Sequence, residues 1–180
     1  YLVKTVVHIC KEMPLLGGFF NISMSENLTH CYSRKMTETD EPCPVCSKKK
    51  PEGVTADVIS LLANAVFEAA PNMQFFALTW AWERLFSARQ IERLVKQLPK
   101  KVVLMNVSEN DMPFEKGGVS SNVMDYTLSM PGPSPWSKNV WRMARENGLQ
   151  LGAKVQLNNS WECSTAPFLP VYETVVSHLN

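Results

Sequence analysis

Short apolar runs alternate with amphipathic stretches along this chain, and the alternation predicts strands separated by helices. The clearest strand is residues 74–82, Gln-Phe-Phe-Ala-Leu-Thr-Trp-Ala-Trp, which is apolar on both of its faces. Such a strand is typical of a parallel sheet that helices cover on both sides. Similar runs predict strands at 18–26, 101–108 and 151–158, and residues 123–129 predict one more.

Apolar residues at helical spacing predict five helices, at 1–13, 54–70, 88–98, 136–147 and 167–179. Ser87 and Ser134 are expected to cap the third and fourth of these helices, and Pro135 suits the first position of the fourth. The chain therefore follows the order α-β-α-β-α-β-β-α-β-α. This alternation indicates an α/β fold with a parallel sheet.

Two architectures share that order. An open doubly wound sheet usually has a glycine-rich phosphate turn after its first strand, and the sequence contains neither GxGxxG nor GxxxxGK[ST]. We therefore predict a (β/α)8-type TIM barrel. A complete barrel takes about 250 residues, so we expect residues 1–180 to form a single domain that is part of a barrel, with about five βα units. Both ends fall within helical patterns, which leads us to expect a fragment of a longer chain. The remainder of that chain, or a second copy in a homo-oligomer, would cover the open sheet edge.

Charge and hydropathy narrow the range of partners. The chain carries 18 Lys and Arg residues against 17 Asp and Glu residues, which gives a formal net charge of +1. This balance provides no strong field for nucleic acid or for an anionic membrane. No apolar run approaches the ~20 residues that cross a bilayer, so we expect a soluble protein that binds neither nucleic acid nor membrane. The sequence indicates no cellular compartment.

Four of the predicted strands lead into a glutamate: Glu26, Glu83, Glu109 and Glu162. In a barrel these ends meet at one rim, where catalytic residues lie. Paired carboxylates hydrolyse glycosidic bonds, and we predict Glu109 and Glu162 as the catalytic pair, with Glu83 next. The predicted substrate-binding residues are Glu26, Trp80, Trp82, Asn106, Asp111, Asn158, Asn159 and Trp161. A glutamate after a strand is often only a solvated loop residue or a charge at a helix N-terminus, and Trp80 is also typical of a core.

The segment 27–53 is a long loop with three of the five cysteines. Cys43 and Cys46 form a CxxC motif, and Cys31 follows His30. These four residues are predicted to bind a structural zinc ion, with Cys10 or Cys163 as other sources of a fourth ligand. Reduced thiols or one loop disulfide explain the same pattern. A redox role is less favoured, because the motif does not lie at a strand–helix junction. His8 and His178 lie on predicted helices and are expected to be surface or packing residues.

Three motifs together carry a resemblance to a known family. They are Ser-Met-Ser-Glu-Asn at 23–27, Cys-Pro-Val-Cys at 43–46, and Ala-Leu-Thr-Trp-Ala-Trp-Glu at 77–83. Over residues 18–162 the chain resembles largely uncharacterised, bacterial glycoside-hydrolase-like (β/α) barrel proteins related to β-hexosaminidases and α-glucuronidases. The paired Asp-Glu of true β-hexosaminidases has no counterpart here, since Asn27 follows Glu26 and Arg84 follows Glu83. The resemblance therefore implies a barrel and a carbohydrate ligand rather than hexosaminidase chemistry.

We hypothesise a glycoside-hydrolase-like domain that acts on or binds a saccharide through acidic and Trp residues at strand ends. This chemistry requires no cofactor. The main alternative is a non-catalytic carbohydrate-binding or scaffold module, in which the carboxylates only bind hydroxyl groups. A further alternative is a metal-dependent barrel enzyme, with the cysteines of the loop near the site.

Overall fold

The computed structural model describes residues 1–25, 28–34, 43–157 and 171–180. Its helices are α1 (Leu2–Glu12), α2 (Pro51–Ala69), α3 (Trp82–Leu85), α4 (Ala88–Gln97), α5 (Pro135–Glu146) and α6 (Tyr172–Leu179). Its strands are β1 (Gly18–Ile22), β2 (Gln74–Leu78), β3 (Val103–Val107), β4 (Pro113–Lys116), β5 (Val119–Asn122) and β6 (Gln150–Lys154). No helix in these described ranges is long and apolar enough to span a membrane.

Four strands form a parallel sheet in the order β1-β2-β3-β6. β1 and β2 pair in parallel from Gly18 opposite Gln74 to Ile22 opposite Leu78, and β2 pairs in parallel with β3. The prediction of an α/β fold with a parallel sheet is confirmed. The inner strands β2 and β3 are mostly buried, which explains why their sequences are apolar on both faces.

The strand predicted at 123–129 is wrong. Residues 113–122 instead form an antiparallel hairpin, β4–β5, and residues 123–129 that follow it have no regular structure. Gly117 and Gly118 connect the two strands, and both have positive φ angles of 60° and 76°. Two such residues are what a tight hairpin turn requires, so this glycine pair was the signal for the hairpin.

The contacts divide the chain into two units. The first unit comprises 1–105 and 143–151, and the second comprises 106–142 and 152–180. In the first unit α2 packs against α1, α4 and β2. The buried side chains of this unit include Ile59, Val66, Phe75, Ala77, Ile91 and Leu104. The second unit buries a smaller apolar set, with Leu128 and Val140 at its centre, together with several polar side chains.

The carboxylate of Glu52 is buried near the start of α2 and is held by two side chains of α4. Its Oε1 accepts hydrogen bonds from the guanidinium group of Arg93 at 2.7 Å, and its Oε2 accepts one from Gln90 at 3.2 Å. Burial alone would raise the pKa of Glu52, but donors from its own main chain, Arg93 and Gln90 outweigh that effect and hold the pKa below its usual range. Gln90 also completes a capping box with Ser87, as the sequence pattern of that helix start allows. One polar network therefore fixes α2 against the start of α4.

We expect Glu52→Gln to destabilise the chain by about 1–3 kcal/mol, because the volume is kept while a charge-assisted hydrogen bond to Arg93 is lost. The matched control is Glu92→Gln on α4, whose carboxylate forms an exposed i,i+4 pair with Lys96. That variant should change the free energy of unfolding by less than about 0.5 kcal/mol. Urea unfolding measures both, and equal losses would contradict the role given to Glu52.

Candidate functional site

The second unit encloses a carboxyl–imidazole pair. Glu109 follows the end of β3, and His178 lies in the last turn of α6. Oε1 of Glu109 and Nδ1 of His178 are 2.9 Å apart, and both side chains are 0% exposed. The hydroxyl of Ser108 donates to the same Oε1 at 3.4 Å, and the main-chain N–H of Gly132 points to Nδ1 at 3.4 Å. The contact between the two side chains is therefore short and shielded from water, and neighbouring loops hold the pair from both sides.

Burial determines the protonation of this pair. It raises the pKa of Glu109 to about 7, although hydrogen bonds from the main chain and Ser108 and the charge of Lys154 act in the opposite direction. Burial also lowers the pKa of His178, against the effect of the main-chain carbonyl of Thr127. Near neutral pH the site thus holds a partly protonated carboxyl group beside a neutral imidazole. Such a combination can donate and accept a proton.

A cleft of about 370 Å³ lies in the same unit. Its wall includes the aromatic rings of Phe114 and Tyr126, and polar groups such as Asp125 and Thr127. Thr127 connects the cleft to the buried pair, because its main-chain carbonyl faces the ring of His178. The cleft therefore has both flat apolar surfaces and hydrogen-bonding groups, and one of its lining residues, Thr127, contacts the proton-holding pair.

Lys154, at the end of β6, brings a positive charge to Tyr126, which lines this cleft. Its Nζ lies 3.2 Å from the centroid of the Tyr126 ring, which is a cation–π contact. Burial lowers the pKa of Lys154, while the negative charges of Asp125 and Glu109 raise it. The main-chain carbonyl of Lys154 also accepts a hydrogen bond from the N–H of Ser108 at 3.1 Å. Lys154 of β6 thus contacts Tyr126 in the cleft wall and interacts electrostatically with Glu109.

A left-handed residue follows each of the strands β1, β2 and β3. Among the described residues, the non-glycine positions with positive φ are Ser25 at 74°, Ala81 at 64° and Asp111 at 57°. Such backbone conformations are costly for residues with side chains and are enriched at functional sites. Nothing in the apolar pattern of the sequence indicated them. The loops after the carboxyl ends of these strands are therefore the strained parts of the fold.

Asn106 and Asp111, both predicted to bind substrate, have different environments. Asn106 is fully buried, and its Nδ2 donates to the hydroxyl of Ser137 at 2.6 Å and to the main chain of Val107 at 2.9 Å. The substrate-binding role predicted for Asn106 is not supported, because its amide is inaccessible and connects β3 to the start of α5. Asp111 is exposed and accepts a hydrogen bond from Asn122 at 2.7 Å. It supports the hairpin beside the cleft and remains open to a ligand.

Ser134 caps α5 as the sequence predicts. Its hydroxyl accepts a hydrogen bond from the N–H of Ser137 at 3.0 Å and donates to the carbonyl of Asn110. Pro135 is the first residue of the helix. The start of α5 is therefore tied to the loop that carries Glu109.

In the first unit, Trp82 belongs to the core. Its side chain is fully buried, and the indole N–H donates to the hydroxyl of Ser23 at 3.2 Å. The prediction that Trp82 forms a stacking platform for a sugar is not supported, because neither face of its ring is accessible. Glu83 is 13% exposed, and its Oε1 lies 3.3 Å from Nε of Arg84. The guanidinium of Arg84 in turn lies 5.9 Å from the centroid of the Trp80 ring, so Trp80 and Glu83 share one cationic neighbour.

The thiols of Cys31, Cys43 and Cys46 form a group in the first unit. Their sulfur atoms all lie within 4.8 Å of one another, and such a group could hold a metal ion. Hydrogen bonds that the Cys31 thiol donates to Cys46 and Cys43 raise the pKa of Cys31 to about 11. Main-chain N–H groups of Cys46 and Val45 lower the pKa of Cys43 to about 7. The sequence prediction of a cysteine-based metal site thus has its three sulfur ligands in place.

His30 does not join that group. Its Nδ1 accepts a hydrogen bond from the N–H of Tyr32 at 3.1 Å, and its Nε2 lies 3.3 Å from the hydroxyl of Thr55 on α2. Burial lowers the pKa of His30, although the main chain of Ser23 acts in the opposite direction. The prediction of His30 as a metal ligand is not supported, since both ring nitrogens have other partners. His30 instead anchors the turn that carries Cys31.

Several predicted site residues lie outside the described residues. They are Glu26, Asn158, Asn159, Trp161, Glu162 and the alternative metal ligand Cys163.

The sequence patterns assigned no functional role to His178, Lys154 or Tyr126. The expectation that His178 is a packing or surface residue missed its contact with Glu109. That contact joins residues from distant parts of the chain, and no local spacing signals it. Lys154 of β6 and Tyr126 of the irregular segment after the hairpin are likewise distant in the chain and in contact in the structure.

Comparisons with protein-family models, curated proteins and solved structures find no match to this chain.

The raised pKa of Glu109 predicts that this residue makes the folded state less stable as pH rises. The folded chain binds a proton up to about pH 7 that the unfolded chain loses near its ordinary pKa of 4.5. From pH 5 to pH 8 the contribution of Glu109 should therefore fall by about 2–3 kcal/mol. Glu109→Gln cannot lose that proton, so the difference in unfolding free energy between wild type and variant should change by this amount. A difference that is the same at both pH values in urea unfolding would contradict the assignment.

Proposed function

We propose that this chain is a glycoside-hydrolase-like domain that binds a saccharide in the cleft of its second unit. The observation that carries the proposal is Glu109, a buried carboxyl group at a strand end whose pKa is raised to about 7. A glycosidase needs an acid that is still protonated near neutral pH, and an apolar surround is how proteins provide one. In this proposal the four-stranded parallel sheet is part of a (β/α) barrel, whose catalytic groups lie at strand carboxyl ends.

The lining of the cleft supports a saccharide as the ligand. Phe114 and Tyr126 offer flat rings for the apolar faces of a sugar, and Asp125, Asn122 and Thr127 offer donors and acceptors for hydroxyl groups. A volume of about 370 Å³ lies within the range of small-molecule sites. The Lys154 charge on Tyr126 would also favour a sugar that carries a negative group.

The proposed proton route runs through His178. Neither Glu109 nor His178 has accessible surface, but His178 contacts Glu109 on one side and the cleft-lining Thr127 on the other. A proton held by Glu109 would pass to the imidazole and from there to the glycosidic oxygen. Glu162 is the proposed second carboxylate, and Asp125 is a further candidate because it lines the cleft.

A non-catalytic carbohydrate-binding module is the second candidate function. The observation that favours it is the complete burial of both Glu109 and His178, which in a binding module would only fix the cleft wall. Saccharide binding is common to both candidates, and turnover separates them. The sugar chemistry in either case requires no cofactor, and we propose that a zinc ion on the cysteine group would be structural. The edge strands β1 and β6 would be covered by a second copy or by the rest of a larger chain.

Calorimetric titration with oligosaccharides and assays with aryl glycosides test the proposal together. Tyr126→Ala should weaken saccharide binding about tenfold, which corresponds to about 1.4 kcal/mol, because the stacking surface is lost. Glu109→Gln should keep binding and abolish turnover. Glu173→Gln, at the exposed start of α6, is the matched control and should change neither.

The outcomes are distinct. Binding with turnover that Glu109→Gln abolishes supports the glycosidase, and binding without any turnover supports the binding module. The absence of saccharide binding, or binding that Tyr126→Ala leaves unchanged, would contradict a saccharide site in this cleft.

A further inference from the structure

We propose that Cys31, Cys43 and Cys46 bind one thiophilic divalent cation of the Zn²⁺ type and so connect two segments of the cysteine loop. The three sulfur atoms come from two segments, the turn at 28–34 and the knuckle at 43–49, and all lie within 4.8 Å of one another. This site does not depend on the proposed saccharide function. Its role is to fix the turn beside β1 to the start of α2.

The turn that carries Cys31 is held in place by main-chain and side-chain hydrogen bonds. The hydroxyl of Thr29 donates to the carbonyl of Ser23 at 2.6 Å, and the N–H of Ser25 donates to the carbonyl of Ser33 at 2.7 Å. These bonds attach the turn to the chain just after β1. Cys31 therefore presents its thiol from a preformed position.

The knuckle that carries Cys43 and Cys46 has the geometry of a metal-binding CxxC turn. The N–H of Cys46 points to Sγ of Cys43 at 3.5 Å, and the N–H of Ser47 donates to the carbonyl of Cys43 at 2.8 Å. N–H groups directed at sulfur favour the thiolate, which is the form that binds metals. A short 3₁₀ turn, Cys46–Lys48, then leads into α2. Both thiols of the motif therefore face the same side.

One hydrogen bond already joins the two segments. The hydroxyl of Tyr32, next to Cys31, donates to the carbonyl of Cys46 at 3.1 Å. The three thiols thus converge without the ion, which lowers the entropy that binding must overcome. A tetrahedral Zn²⁺ with Zn–S bonds of ~2.3 Å places its sulfurs about 3.8 Å apart. Closing from 4.8 Å to that spacing takes a movement of about 1 Å or less.

The donor set decides which ions fit. Three thiolates suit soft or borderline ions such as Zn²⁺, whereas Mg²⁺ and Ca²⁺ require oxygen ligands. Three sulfur ligands leave a fourth position on a tetrahedral ion, and among the described residues no other Cys, His, Asp or Glu joins the group. The exposure of Cys31 gives water access to that position.

Zinc titration of the reduced, chelator-stripped chain against a chromophoric chelator tests the site directly. We expect one Zn²⁺ per chain, no competition from Mg²⁺ or Ca²⁺, and a higher midpoint of thermal unfolding when zinc is present. Loss of a residue that only supports a metal ligand weakens metal binding about 10–100-fold. Cys43→Ser and Cys46→Ser each remove a ligand itself and should weaken zinc binding by more than that. Cys10→Ala is the matched control, because Cys10 is buried in α1 outside the group, and it should leave zinc affinity unchanged.

Thermal unfolding in the absence of metal checks that the two variants still fold. The Cys43→Ser and Cys46→Ser chains should unfold near the metal-free wild type, and added zinc should no longer raise their midpoints. Failure of the reduced wild type to bind zinc would overturn the proposal. Zinc binding that both Cys43→Ser and Cys46→Ser retain at wild-type affinity would overturn it equally.

Discussion

The buried contact between Glu109 and His178 is the interaction on which the organisation of the second unit depends. A carboxyl group and an imidazole are taken out of water together, and each reduces the cost of burying the other by hydrogen bonding. Because burial disfavours both charged forms, the pair shares a proton rather than forming a full ion pair. Ser108 and Gly132 hold the two groups from the loops after β3 and before α5. The cost of keeping such a pair dry is hard to explain by packing alone, and this is why we give it a function.

The first unit is organised differently: α2 packs on the sheet through apolar contacts, and two polar side-chain contacts hold α2 to neighbouring segments. Glu52 connects α2 to α4 through Arg93, and His30 connects the cysteine turn to α2 through Thr55. Trp82 fills the space after β2 and bonds to Ser23 after β1. In this unit the residues at strand ends thus stabilise the loops that leave the sheet. The same positions in the sequence served as candidates for sugar binding, and burial distinguishes the two roles.

Local patterns in the sequence were sufficient to predict most of the helices and strands. The apolar runs located the four parallel strands, and the cap residues Ser87 and Ser134 located the starts of α4 and α5. Glycine pairing at 117–118 was a readable hairpin signal that the prediction of a strand at 123–129 overlooked. Glu109 was predicted from its place after a strand, but its partner His178 was not. A contact between residues that are distant in the chain produces no local spacing pattern, so the sequence could not predict it. The burial of Trp82, which rules out an exposed sugar platform, has no local sequence signal either.

We propose above all that Glu109 holds a proton and is coupled to a cleft that binds a saccharide. Carbon-13 NMR of the Glu109 carboxyl group, titrated with pH in the presence and absence of an oligosaccharide, tests it most directly. We expect a midpoint at about pH 7 in the free chain, and a higher midpoint when the ligand excludes water from the cleft beside His178. A midpoint near the ordinary pKa of 4.5, unchanged by the oligosaccharide, would contradict this proposal.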